Sequence, residues 1–131
     1  MHGVRDNSVN LLISLSAGLA ALTCARYVRP GGYLLANDSH CDASNAHLHG
    51  ADKWKLIAVW RNEEWSRDST LLERCFRVRA RSVLQRPASG PQWRAMTVDD
   101  FEESLRLSQS KRSFVCDVES KFFLFEKKVK S

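Results

Sequence analysis

His40, Cys41, Asp42, His47 and His49 fall within ten residues, and thiolate with imidazole is a ligand set that zinc accepts. The spacing does not sustain a site. His47 and His49 are two residues apart, so on a helix they point to different sides, and no metal is expected. No Ser, His and Asp follow one another on a recognisable nucleophile turn, so hydrolase chemistry is not expected either. Cys24, Cys41, Cys75 and Cys116 are spaced by 17, 34 and 41 residues, which gives no Cys-x-x-Cys pattern. Free thiols in a reducing, cytoplasmic compartment are the expectation.

A second group is basic. Arg74, Arg77, Arg79, Arg81 and Arg86, followed by Trp93 and Arg94, could neutralise phosphates and offer an aromatic surface on which bases stack. Arg77, Arg79, Arg81, Arg86, Trp93 and Arg94 are therefore the candidate nucleic-acid contacts. Glu63, Glu64, Asp68 and Glu73 precede them, so an ordinary solvated face accounts for the same residues.

A third group sits on loops that follow apolar runs. Ser14, Ser16 and Gly18 end the first run, and Asn37, Asp38 and His40 end the second. Ligands approach open α/β sheets beyond the carboxyl ends of their strands, which makes these six the candidate ligand-facing residues. Without a ligand, Ser16 caps a helix, Asn37 and Asp38 form a turn, and His40 is an exposed imidazole.

The elements that must hold these residues are legible in the hydropathy pattern. The chain has 131 residues, 44% hydrophobic and 27% charged, with a formal net charge of +5. That describes one domain spanning 1–131 with a single core. Arg5 followed by the apolar run Leu11 to Ala25 imitates a secretory signal, but Asp6 adjoins the arginine, Arg26 closes the run, and a membrane span needs about 20 residues. No membrane association is expected.

Val9 to Leu15 is apolar without strict alternation, as in a parallel strand covered on both faces. Helical spacing from about Ala17 to Val28 follows, with Ser16 as its N-cap. Arg29-Pro30-Gly31-Gly32 stops it and makes a tight reversal, leading into a second strand, Tyr33 to Ala36. A short helix is expected from Cys41 to Leu48 and a third strand from Trp54 to Trp60. Leu71, Leu72, Cys75 and Phe76 have helical spacing, whereas Phe76 to Arg81 alternates as a strand does; helix is expected for the first part only. Gln85 to Pro91 is a loop. Thr97 is the N-cap of a helix reaching Leu107, with Asp100 at its third position. The aromatic run Lys121 to Glu126 is the last strand.

This order, with Ser14-Leu-Ser-Ala-Gly-Leu19 and Arg29-Pro-Gly-Gly-Tyr-Leu-Leu-Ala-Asn-Asp-Ser-His40, resembles the C-terminal half of class I S-adenosylmethionine-dependent methyltransferases, in a poorly characterised branch. The resemblance implies an α/β fold: a partial Rossmann-like sheet of about four strands in the order 1-2-4-3, the last antiparallel, with flanking helices. It also implies that Ser14, Ser16, Gly18, Asn37, Asp38 and His40 face substrate and part of the cofactor. The family's glycine-rich turn and ribose-binding acidic residue would lie upstream of Met1. Glycines occur only at 3, 18, 31, 32, 50 and 90, and such a ligand needs both elements. The chain alone is thus expected to bind no cofactor and to be inactive, with S-adenosylmethionine bound only if a partner chain completes the domain. The first strand, 9–15, would be an edge offering Leu11, Leu12 and Ile13 to a second copy or a partner chain. The alternative is a non-catalytic nucleic-acid or protein binding module using 74–94.

Overall fold

The computed structural model describes residues 3–15, 19–38, 41–81 and 93–129. The chain is α/β. Its main sheet contains β1 (Val9–Ser14), β2 (Val28–Ala36), β3 (Trp54–Arg61), β4 (Glu64–Ser66) and β8 (Phe122–Lys127), in the order β1-β2-β8-β3-β4. Among the described strands only β1 and β2 run parallel; β8 is antiparallel to both β2 and β3. The four expected strands therefore take the expected order, with the carboxyl-terminal strand inserted between its neighbours. Phe123 and Phe125 of β8 are buried and Phe122 and Leu124 half-buried, which is how the aromatic run finds cover.

Arg29 to Gly32 makes no reversal: it lies inside β2 as a bulge, and the strand keeps its direction on either side. Val9 pairs with Val28 and Leu11 with Tyr33, so two steps along β1 meet five along β2, and the three surplus residues are looped out as an irregular bulge. Gly31 takes φ +83° there, and a Cβ on Gly32 would lie 2.8 Å from Val28 Cγ1 and 2.9 Å from two backbone carbonyl oxygens, those of Asn10 and Arg29.

The first helix is shorter than expected: α1 spans only Ala20–Thr23 and gives way to a 3-10 turn, Ala25–Tyr27. The pairing of Val28 with Val9 draws the chain out into a strand before the helix can continue. Ser16, its expected N-cap, lies outside the described residues, as do Gly18, His40, Arg86 and the loop Gln85 to Pro91. Helix α2 (Asp42–Leu48) follows Cys41, which takes φ +67°.

A hairpin was not expected at Arg61 to Ser66. Asn62 and Glu63 both take positive φ (50° and 63°), a two-residue type I′ geometry that joins β3 to β4. Helix α3 (Ser69–Arg74) then leads to β5 (Arg77–Ala80), which pairs with β6 (Arg94–Ala95) and β7 (Phe114–Cys116) in a second, three-stranded antiparallel sheet. Between β6 and β7 lies α4 (Val98–Arg106), held by the expected capping box: Thr97 accepts from the Asp100 amide and Asp100 from the Thr97 amide.

One core joins these parts. Ala21, Val28, Leu34, Ala36, Ala43, Ala46, Trp54, Val59, Phe76, Val78, Phe114, Phe123 and Phe125 form a single buried cluster. Leu12 packs against it, so of the three expected edge side chains only Leu11 and Ile13 face outward. No described helix is long and apolar enough to cross a membrane.

Candidate functional site

The candidate site is a cavity of about 280 Å³ beyond the carboxyl end of β2, where Ala36 pairs with Phe123 at the start of β8. Asn37 and Asp38 enter it from β2, Lys121 and Phe123 from β8, Cys75 from the end of α3, and Arg112, Cys116, Val118, Glu119 and Ser120 from β7 and its flanks. A second, larger hollow shares Arg112, Cys116 and Glu119 as its wall. The small sheet thus forms the roof, a part the sequence pattern did not disclose.

Asp38 is tied down at both oxygens, accepting from the Ser44 amide (2.9 Å) and the Ser44 hydroxyl (2.7 Å). Its carboxyl is pushed above the usual range by desolvation, against the opposing pull of the Ser44 bonds and Arg112. Arg112 donates to the carbonyls of Ser104 (3.2 Å) and Leu107 (3.3 Å) at the carboxyl end of α4, where a cation suits the helix dipole. It also reaches Cys41 Sγ at 3.9 Å. Burial pushes the thiols of Cys75 and Cys116 up to about 11, so both are protonated at neutral pH and are poor nucleophiles. The Ser120 hydroxyl is buried beside the Cys75 thiol, a polar group at the wall of the cavity. Arg112 and Lys121, against Glu119, give the cavity charges of both signs. This arrangement can orient a small polar ligand, and neither of its two thiols is activated as a nucleophile.

Of the six ligand-facing candidates, Asn37 and Asp38 line the cavity. Ser14 does not: it is 1% exposed and its hydroxyl donates to Asp42 at 2.6 Å. Asp42 also accepts from the Ala21 amide (3.0 Å) and Asn45 Nδ2 (3.3 Å). Its carboxylate therefore caps α1 from another helix, and Ser14 belongs to that structural network. Arg112, Lys121, Glu119, Cys75 and Cys116 are the cavity residues that sequence reasoning missed; each is a single polar residue outside any motif.

Around α2, His47 stacks on Phe76 (4.2 Å between centroids) and His49 meets Phe101 edge-on (5.2 Å). No group of three metal-ligating side chains forms among the described residues. All four cysteines are free.

The basic segment is partly gathered and partly engaged. Arg77 and Arg79 share one face of β5; the Arg79 guanidinium lies 4.6 Å over the Trp93 ring and Arg77 donates to the Trp93 carbonyl at 3.5 Å. Arg94 is bound by Asp100 at 2.6 Å, Arg81 donates to the Arg112 carbonyl at 2.9 Å, and Arg74 pairs with Asp117 at 3.0 Å.

Comparison with family profiles, with curated proteins and with solved structures finds no match.

Proposed function

We propose that this chain is the acceptor-side half of a methyltransferase-like α/β domain: it binds a small polar ligand at the carboxyl end of β2 and transfers no methyl group alone. The observation that carries the reading is the strand arrangement around the cavity. A parallel β1–β2 pair is followed by a last strand that runs antiparallel between β2 and β3, and the cavity lies where open α/β sheets take their ligands. The chain's six glycines stand at 3, 18, 31, 32, 50 and 90, a spacing without the family's glycine-rich motif, and both oxygens of Asp38 are engaged by Ser44. S-adenosylmethionine would thus be a cofactor only where polypeptide outside residues 1–131, in this protein or a partner, supplies the glycine turn and the ribose carboxylate.

Thermal denaturation with S-adenosylmethionine tests this, on the chain alone and mixed with the polypeptide encoded next to it. The expected result is an unchanged midpoint alone and a raised midpoint in the mixture. A raised midpoint for the chain alone would count against a half-domain.

A second reading, a nucleic-acid binding module, is favoured by one observation: Arg77, Arg79 and Trp93 meet on one face of the small sheet. A gel shift with single-stranded RNA that weakens steeply with salt and is lost in Arg79→Ala would support it.

A further inference from the structure

We infer that the cavity at the carboxyl end of β2 takes a small organic acid, its carboxylate held by Arg112 and Lys121 and its apolar body lying against Val118 and Phe123. This rests on the proposed reading of that cavity as the ligand site and goes beyond it in naming the ligand's charge. Arg112 is half-buried and lines both hollows. Its Nε donates to the Leu107 carbonyl and its Nη2 to the Ser104 carbonyl. The guanidinium is thus fixed by the end of α4, and Nη1 is the nitrogen left over. Among the described residues no carboxylate forms an ion pair with it. A cation withdrawn from water without a counter-ion is stabilised by an anion that shares its site.

The rest of the wall agrees. Lys121 brings a second cation to the same cavity; its ammonium lies 5.6 Å over the Phe122 ring and makes no ion pair among the described residues. Arg61, whose Nε donates to the Glu119 carbonyl at 3.1 Å, adds positive potential at Cys75. The two carboxylates of the wall oppose this weakly. Both oxygens of Asp38 are turned to Ser44, and desolvation favours the neutral form of its carboxyl. Glu119 is exposed, with a partner of its own, and there water and salt screen it. Val118 and Phe123 are buried, and the Cys75 and Cys116 thiols stay uncharged at neutral pH, so these four give the wall its apolar part. Volume sets the size. About 280 Å³ falls just short of the roughly 300 Å³ at which sites for larger ligands begin, which suits an acid of a few heavy atoms.

Amide NMR titration of the full chain tests this with butyrate, its neutral analogue butyramide and its cationic analogue butylamine. Butyrate is expected to give saturable shifts at Asn37, Cys116 and Lys121, and the two analogues none. Affinity for butyrate should fall about tenfold in Arg112→Gln and roughly threefold in Lys121→Gln, whose charge is the more exposed. Arg112 also ties down the end of α4, so Lys121→Gln decides if Arg112→Gln does not fold. Comparable saturation by butyramide or butylamine would overturn the charge assignment and keep the cavity as the ligand site. No saturable shift with any of the three would overturn both. An unchanged affinity in Lys121→Gln, or in folded Arg112→Gln, would also overturn the inference. The half-domain reading fails on a different measurement, a raised midpoint with S-adenosylmethionine for the chain alone.

Discussion

The hydroxyl of Ser14, last residue of β1, donates at 2.6 Å to the buried carboxylate of Asp42, first residue of α2. The same carboxylate accepts the Ala21 amide, so one side chain fastens the end of a strand to the starts of two helices. Removing it in Asp42→Ala strands a buried hydroxyl and a buried amide. The expected cost is about 3 kcal/mol, the sum of two unsatisfied groups less some relaxation. Urea unfolding should show a lower midpoint with an unchanged slope, and Asp42→Asn should lose less.

At the β3–β4 hairpin, Glu63 is held at φ 63° beside Asn62 at 50°. The left-handed region costs a side-chain-bearing residue about 1–2 kcal/mol, and glycine is the residue a type I′ turn prefers there. Glu63→Gly is therefore expected to stabilise by about 0.5–1 kcal/mol after glycine's own entropy cost, read as a rise in thermal midpoint.

Gly32 has the opposite sensitivity. A Cβ there would meet two backbone oxygens at 2.9 Å, neither of which can swing away as a side-chain tip could. Gly32→Ala should destabilise by about 1–3 kcal/mol, and hydrogen exchange should locate the loss in the β1–β2 pairing.

Two carboxyls shape the pH profile in opposite senses. Asp100 is held below its ordinary value by Arg94, with the Thr97 bonds assisting. Its contribution is complete above the unfolded value near 4 and is lost as pH falls through the lower folded value. Asp38 is raised by desolvation. Its contribution is complete below about 4 and is lost as pH rises through the higher folded value. In stability measured against pH, Asp100→Asn should flatten the acid limb, and Asp38→Asn should remove the decline above it. An unchanged limb in either variant contradicts the assignment of that residue.

The main sheet was legible because its strands are long enough to carry a pattern: the Phe122 to Phe125 run demands burial. Arg29 to Gly32 misled, since proline and paired glycines signal a reversal but here form a bulge inside β2. The small sheet was not. Arg77 to Ala80 alternates, but its partners Arg94–Ala95 and Phe114–Cys116 are two and three residues long, too short for a period to show. Asn62-Glu63 lacks the glycine that announces a type I′ turn, so the hairpin was hidden. In the site, Asn37 and Asp38 were found because they end a strand. Arg112 was not, since a lone arginine gives no sign that it will bridge the end of α4, Cys41 and the cavity. Asp42 reads locally as the start of its own helix, and only the fold shows it capping another.

Calorimetric titration of the chain with S-adenosylmethionine tests the central claim most directly. A half-domain without the glycine turn and ribose carboxylate should give no saturable heat. A saturable signal in the micromolar range, abolished by Asn37→Ala or Asp38→Ala in a folded variant, would contradict the account and make the cavity at the end of β2 a complete cofactor site.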